Sequence, residues 1–245
     1  MLRKLTIDEG NSSTKIGLWH DDELVCEQTF HIDTPEQIVE LLSHAPVADA
    51  AIFCSVCGRR RDDVERALAP IAKRLIVLDH TTPLPISVEY RTPQTLGCDR
   101  VAAAAGAAVI SPKRTVLVVD MGTAITYDVV SACGRFIGGN IAPGIFVRLE
   151  ALQHFTKALP LVETDGDCPR WGYDTETALR SGAIRGVVGE LQYYRHCLTP
   201  DGVPAEVILT GGSADLIIPY ISSPITIEPN LVLIGLNSIL NYNER

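Results

Sequence analysis

The sequence predicts an α/β protein built from two similar halves, and three observations carry that reading. TIDEGNSSTKIGLW (6–19) puts an acidic residue at the end of an apolar strand, followed by glycine, small donors and a lysine. VVDMGTAITYDVV (118–130) repeats the pattern, with Asp120, Gly122 and Thr126 standing where Asp8, Gly10 and Thr14 stand. Each half opens on three strands and continues into mixed helix and strand, so the shared order of elements supports the short identities as an internal duplication.

In order along the chain, residues 2–8, 14–19 and 24–30 read as three short strands separated by turn-rich Gly10-Asn11-Ser12-Ser13 and His20-Asp21-Asp22-Glu23. Thr34 is placed to cap a helix that runs to about Ser43, with Pro35 in its first turn. AAIFCSV is a buried strand, followed by a helix over 62–72 and a strand at RLIVLD. The arginines of GRRRDDVER face aspartate and glutamate near i+4, which reads as a solvated helix start, not a basic binding patch. A proline-rich crossing spans 81–93, and a helix follows over 99–110. Ser111-Pro112-Lys113 marks the boundary between halves 1–112 and 113–245. TVLVVD, AITYDVV and GRFIGGNI open the second half as strands. Helices at GIFVRLEALQHF and 175–198, a strand at AEVILTGG and a final amphipathic helix over 231–242 complete it.

Composition narrows the function classes. Of 245 residues, 46% are hydrophobic and 21% charged, an ordinary globular balance. The net charge of −9 disfavours non-specific binding to nucleic acid or anionic membranes. No apolar run reaches the roughly 18 residues a membrane span needs, and MLRKLTIDEG lacks a signal-like apolar core, so a cytoplasmic protein is expected. Seven cysteines at 26, 54, 57, 98, 133, 168 and 197 do not make a disulfide framework. Cys54-Ser-Val-Cys57 is an isolated CxxC with no second pair to complete a metal set, and it reads as a strand end.

The chemistry of the two turns points to phosphate. Backbone N–H groups in a tight glycine turn can be aimed at anionic oxygens. Ser12, Ser13 and Lys15, or Thr123 and Thr126, add donors. A carboxylate would repel phosphate, so Asp8 and Asp120 are suited to hold a cation that bridges to it. Turn capping explains one such aspartate equally well; two in matching positions favour a polyphosphate with Mg²⁺. Neither GxxxxGK[ST] nor GxGxxG is present. Strand alternation turns Glu9 away from Asp8, toward solvent or a charged partner.

Several motifs in order resemble one family. DEGNSSTK (8–15), PQTLGCDR (93–100), DMGTAITYD (120–128), GGNIAPG (138–144), YDTETALRSG (173–182), LTGG and NLVLIGL are similar to those of the type III pantothenate kinases. These belong to the acetate and sugar kinase, Hsp70 and actin superfamily. The resemblance implies two duplicated ribonuclease-H-like (actin-like ATPase) halves with a nucleotide cleft between them, and ATP-dependent phosphorylation of pantothenate. It implies ATP contacts at Asp8, Glu9, Gly10, Asn11, Ser12, Ser13, Thr14, Lys15 and Thr123. Asp120 falls on the family's ligand for a monovalent cation, K⁺ or NH₄⁺, and Asp99 on its proton acceptor. Tyr90, Gly97, Cys98, Asp99, Arg100 and Thr175 fall on pantothenate contacts, Thr175 reaching the site from the other subunit of a homodimer. On residues alone, Asp99 and Arg100 read as an N-cap with a surface arginine. Ala178, Gly182 and Gly186 leave a flat helical stripe compatible with a dimer and equally with packing inside one chain.

The family usually has an aliphatic residue in place of Glu9, threonine in place of Ser12, and asparagine after GxDR where this chain has alanines. Alternatives are a kinase of the superfamily with another small acceptor, or a non-catalytic transcription accessory factor of the same fold.

Overall fold

The computed structural model describes residues 2–31, 35–44, 46–58, 61–198 and 205–244. Contacts divide the chain into two compact units: 1–113 with 130–137 and 230–245, and 114–129 with 138–229. The first unit ends one residue past the expected boundary, yet it also takes two later segments that the sequence reading assigned to the second half.

In the first unit, strands β1 (Arg3–Glu9), β2 (Ser13–His20), β3 (Glu23–His31), β4 (Ala48–Ser55) and β5 (Ala72–Val77) form a sheet of order β3-β2-β1-β4-β5. The β1-β2-β3 meander is antiparallel, and β4 and β5 add in parallel. Alternation along β1 sends Leu5 and Ile7 into a core with Phe53 of β4, Leu42 of α1 (Pro35–Ser43) and Val64 and Leu68 of α2 (Arg61–Leu68). The expected cap of α1, Thr34, lies outside the described residues. Arg61 pairs with Glu65 and Arg66 with Asp63, so this part of the basic stretch is a solvated helix start; Arg59 and Arg60 lie outside the described residues.

The other face of β1 presents Thr6, whose Oγ1 accepts a 2.9 Å hydrogen bond from Trp19 Nε1. There a Cβ on Gly17 would come within 3.1 Å of Leu233, in α6 (Leu231–Tyr242). Helix α6 crosses α3 (Cys98–Ile110) at two glycines: a Cβ on Gly235 would overlap the Ala102 carbonyl oxygen, and one on Gly106 the Leu231 carbonyl oxygen. The alanine-rich run at 102–105 is buried, and Ala102 lies in this backbone-to-backbone approach.

The second unit is built on β7 (Val116–Met121), β8 (Ala124–Val130), β9 (Arg135–Pro143), β10 (Glu206–Thr210) and β11 (Thr226–Ile227), with α4 (Ile145–Phe155) and α5 (Thr175–Cys197). Its strands run β11-β10-β7-β8-β9, the same sequence of positions as β5-β4-β1-β2-β3. The duplication is therefore topological as well as local. Two-residue strands, β11 and β6 (Ser87–Val88), are absent from the sequence reading. In the first unit β6 pairs with Arg135 and Phe136, the start of β9. Among the described residues no helix is long and apolar enough to cross a membrane.

Candidate active site

In the first unit, the C-terminal end of β1 carries Asp8, half-buried, with Lys15 opposite on β2 and Cys54 opposite on β4. The turn between β1 and β2 closes on a 2.9 Å bond from Gly10 N to Ser13 O. Asn11 and Ser12 are exposed at its tip, Ser13 and Lys15 are half-buried, and Thr14 is buried. Lys15 Nζ donates to Asn230 Oδ1 at 3.3 Å, and Asn230 is the residue before α6. The hairpin thus holds a lysine and a carboxylate beside a tight glycine turn.

Of the two surroundings expected for Glu9, solvent is excluded. Its side chain is 0% exposed, on the same face of β1 as Leu5 and Ile7, so alternation turns it into the first unit and not to solvent. The cause is tertiary: that face of the sheet is the one covered by α1 and α2.

The GCDR turn begins α3, with Gly97 as N-cap and Asp99 in the first turn. Asp99 Oδ1 accepts a 2.8 Å bond from Arg100 N. A Cβ on Gly97 would overlap that same oxygen, so glycine is needed for the carboxylate to sit here. Burial raises the Asp99 carboxyl above its ordinary value, and the backbone bond and the positive charge of Arg100 only partly oppose it.

Arg100 is not the surface residue read from sequence. It is 6% exposed, its guanidinium carbon 5.8 Å from the Tyr90 ring centre and 5.7 Å from that of Phe136. The two rings meet edge-on at 6.1 Å. Stacking on both rings replaces hydration lost on burial. Asp8 and Asp99 both act electrostatically on the Cys54 thiol, so the phosphate-type hairpin and the GCDR turn share one neighbourhood of the first unit. Phe136 and Asn230 are the contributors that sequence reasoning missed. Asn230 opens the quoted NLVLIGL run and could have been found as its helix cap; nothing local distinguishes Phe136.

In the second unit, Asp120 lies half-buried near the end of β7, opposite Thr210 of β10. Gly211, at φ +92°, lets the chain turn against it: a Cβ there would stand 2.5 Å from Asp120 Oδ1. Gly122 N donates to Ala124 O at 3.0 Å, the counterpart of the Gly10 turn, and Thr123 is exposed at its tip. Gly144 N donates to Thr123 O at 2.9 Å, and a Cβ on Gly144 would come within 2.5 Å of the Gly122 and Thr123 carbonyl oxygens. This carboxylate therefore sits in a cradle that side chains would fill. Its hard oxygen donors fit a hard cation. Among the described residues no three His, Cys, Asp or Glu gather as a metal cage.

Thr175 opens α5 and is exposed. Asp174 caps the helix by accepting from Thr177 N at 2.8 Å, while Arg180 donates to the Glu163 and Asp167 carbonyl oxygens at 2.9 and 3.0 Å. These bonds fix the loop before Thr175, which also carries Trp171 and Tyr173, 82% and 68% exposed. A separate pocket of about 320 Å³, lined by Arg3, His20, Asp49 and Lys73, opens at the opposite end of β1. Its Lys73 is already paired with Asp49 at 2.7 Å, and none of the expected site residues line it.

A sequence profile for the family described as type III pantothenate kinase matches residues 4–196. A type III pantothenate kinase of Porphyromonas gingivalis W83 is 40% identical over 245 residues, covering 98% of both chains. One from Phocaeicola vulgatus is 39% identical, covering 98% of this chain and 99% of its own. Among solved structures, a Campylobacter jejuni protein assigned to the Baf family of transcriptional activators covers 98% of both chains at TM-score 0.66 and 21% identity. A ROK family protein of Streptococcus pneumoniae covers 99% of both at TM-score 0.51 and 12% identity. These two structural likenesses speak to the fold alone.

Proposed function

The chain belongs to the type III pantothenate kinase family, and on that premise we propose how its residues carry out ATP-dependent phosphorylation of pantothenate to 4′-phosphopantothenate, the first step of coenzyme A biosynthesis. The observation that carries the assignment of roles is the GCDR turn, where a half-buried carboxylate with a raised pKa adjoins an arginine set against two rings. Asp99 is the proton acceptor. It orients the primary hydroxyl of pantothenate, whose oxygen bonds to the γ-phosphorus as the bond to the β-phosphate oxygen breaks. Burial makes Asp99 a stronger base than an exposed carboxylate, but an alcohol is far less acidic than any carboxylic acid, so the proton moves late.

Tyr90, Gly97, Cys98 and Arg100 hold the pantothenate, and Thr175 is contributed by the partner in a homodimer. The exposure of Trp171, Tyr173 and Thr175 on one ordered loop and helix start supports that pairing. Asp8, Gly10 to Ser13, Lys15 and Thr123 serve ATP: glycine-turn amides, the exposed hydroxyls and the Lys15 ammonium meet phosphate oxygens, while Asn230 orients Lys15; the side chains of Glu9 and Thr14 are buried, so those two residues offer their backbone alone. Mg²⁺ bound with the nucleotide neutralises phosphate charge. Asp120, in its glycine cradle, would hold K⁺ or NH₄⁺. Residues 1–112 and 113–245 are duplicated in the order of their strands, although 130–137 and 230–245 pack with the first unit, and the kinase's location is cytoplasmic.

The test is ADP release by the purified protein with ATP, Mg²⁺ and K⁺, with and without pantothenate. Pantothenate-dependent release is expected. Asp99→Asn should lower turnover by at least about 10² with ATP binding intact, because a positioned base contributes on that order. Near-normal turnover in the variant would remove Asp99 as base. ATP binding without stimulation by pantothenate would point to another small hydroxyl acceptor.

A further inference from the structure

Cys54 and Cys98 stand 44 residues apart in sequence, and the Cys54 thiol donates to Cys98 Sγ at 2.8 Å. Cys98 Sγ in turn donates to the Ser55 carbonyl at 3.1 Å. The CxxC partner, Cys57, instead reaches the Gly10 carbonyl at 3.3 Å, so the isolated motif is not the thiol pair; the fold supplies a different one. Cys54 is 0% exposed in β4, whereas Cys98 is half-buried as the first residue of α3. The sulfurs need to approach by only about 0.8 Å to reach the bond length of roughly 2.0 Å.

We propose that Cys54 and Cys98 are a redox modification site, forming a reversible intramolecular disulfide that switches off phosphoryl transfer. The effect on turnover rests on the reading of the GCDR turn as the acceptor site; formation of the bond does not. The oxidant class is a hydroperoxide. The Cys98 sulfur attacks the peroxide O–O bond, becoming a sulfenic acid as the other oxygen leaves as alcohol or water. The Cys54 sulfur then attacks the sulfenic sulfur, its proton leaving with the hydroxyl as water. The two sulfurs together give up two electrons and the peroxide takes them. Burial, then the hydrogen bond to Cys98, hold the Cys54 thiol well above its ordinary value, which makes it the resolving partner and not the thiol oxidised first.

The position makes the bond consequential. Cys98 precedes Asp99, and Cys54 is the strand neighbour of Asp8. A disulfide ties the GCDR turn to the strand beside the phosphate-type hairpin, so Asp99 loses the freedom to settle against an incoming hydroxyl. Dithiol reagents restore it.

The experiment treats the full chain with hydrogen peroxide, alkylates remaining thiols and maps peptides by mass spectrometry, with ADP release measured on the same samples before and after dithiothreitol. A crosslinked peptide pair containing Cys54 and Cys98 is expected, with turnover at least about tenfold lower and recovered on reduction. Cys54→Ala, and Cys54→Ser as a second choice should alanine leave the strand loosened, should keep the reduced activity and lose the crosslink and its reversible inhibition. Absence of the crosslink in the parent chain, or crosslinks through Cys57 or between chains in its place, overturns the proposal. A crosslink with unchanged turnover overturns the switch. If the reduced protein shows no pantothenate-dependent release, the kinase assignment fails while the peptide map still decides the bond.

Discussion

Replacing Gly235 by alanine tests the α3–α6 crossing on which the proposed site is hung. The new Cβ would overlap the Ala102 carbonyl oxygen, and it would lie 2.6 Å from the Ala102 carbonyl carbon and 2.9 Å from Gly106 N. All three are backbone atoms, so no side-chain rotation relieves them and the helices must part by about 1 Å. A gap of that size forfeits roughly a quarter to a half of the dispersion attraction across the seam. Overpacking of this kind costs about 1–3 kcal/mol, and rigid neighbours put it at the upper end. The gain in helix propensity offsets about 1 kcal/mol. A net loss of about 2 kcal/mol lowers the melting temperature by roughly 4–8 °C for a chain of this size. Thermal melting at fixed protein concentration reads it, with Gly189→Ala as control, since a Cβ at Gly189 meets nothing within 4 Å. Turnover should fall with stability, because α3 carries Asp99 in its first turn and α6 follows the Asn230 that holds Lys15. Melting of Gly235→Ala within a degree of the parent would refute the reasoning.

Arg148→Ala should destabilise the second unit by about 2 kcal/mol, because it removes two 2.7 Å bonds to Glu190, which also accepts from Tyr127 at 2.9 Å. Burial alone would raise the Glu190 carboxyl, but the Arg148 and Tyr127 bonds outweigh it and leave it below the ordinary 4.5. The stabilisation is thus present above that value and fades as pH falls through the depressed one, so denaturation curves of parent and variant should converge in acid. The raised carboxyl of Asp99 has the opposite consequence: turnover should be lost on acidification at a pH above the ordinary 3.8. Asp99→Asn should melt slightly higher than the parent at pH 7, the difference vanishing in acid, because it removes a buried charge. Exchange of K⁺ for Na⁺ in the ADP-release assay should depress turnover, and indifference would remove Asp120 from the cation role.

Much of the fold was legible because its signals are local. Apolar runs of 4–8 residues, glycine turns and helix starts depend on neighbours in sequence, and the β1–β2 and β7–β8 turns repeat closely enough to reveal duplication. The two-residue β6 and β11 carry too little pattern to be read, since a strand of that length is made by its partner. The site residues were likewise found as motifs, while their surroundings were not. Alternation correctly turned Glu9 away from Asp8, but whether that face met water depended on helices α1 and α2, thirty to sixty residues further on.

By itself, the sequence determined the α/β class, the two carboxylate turns and the family, because each rests on periodicity or on motifs contiguous in the chain. Only the tertiary structure decided that Arg100 is held against Tyr90 and Phe136, that Cys54 faces Cys98 and not Cys57, and that the last helix belongs with the first unit. Those outcomes depend on contacts across tens to hundreds of residues, where burial and close backbone approach choose the neighbours and sequence spacing carries no record of the choice.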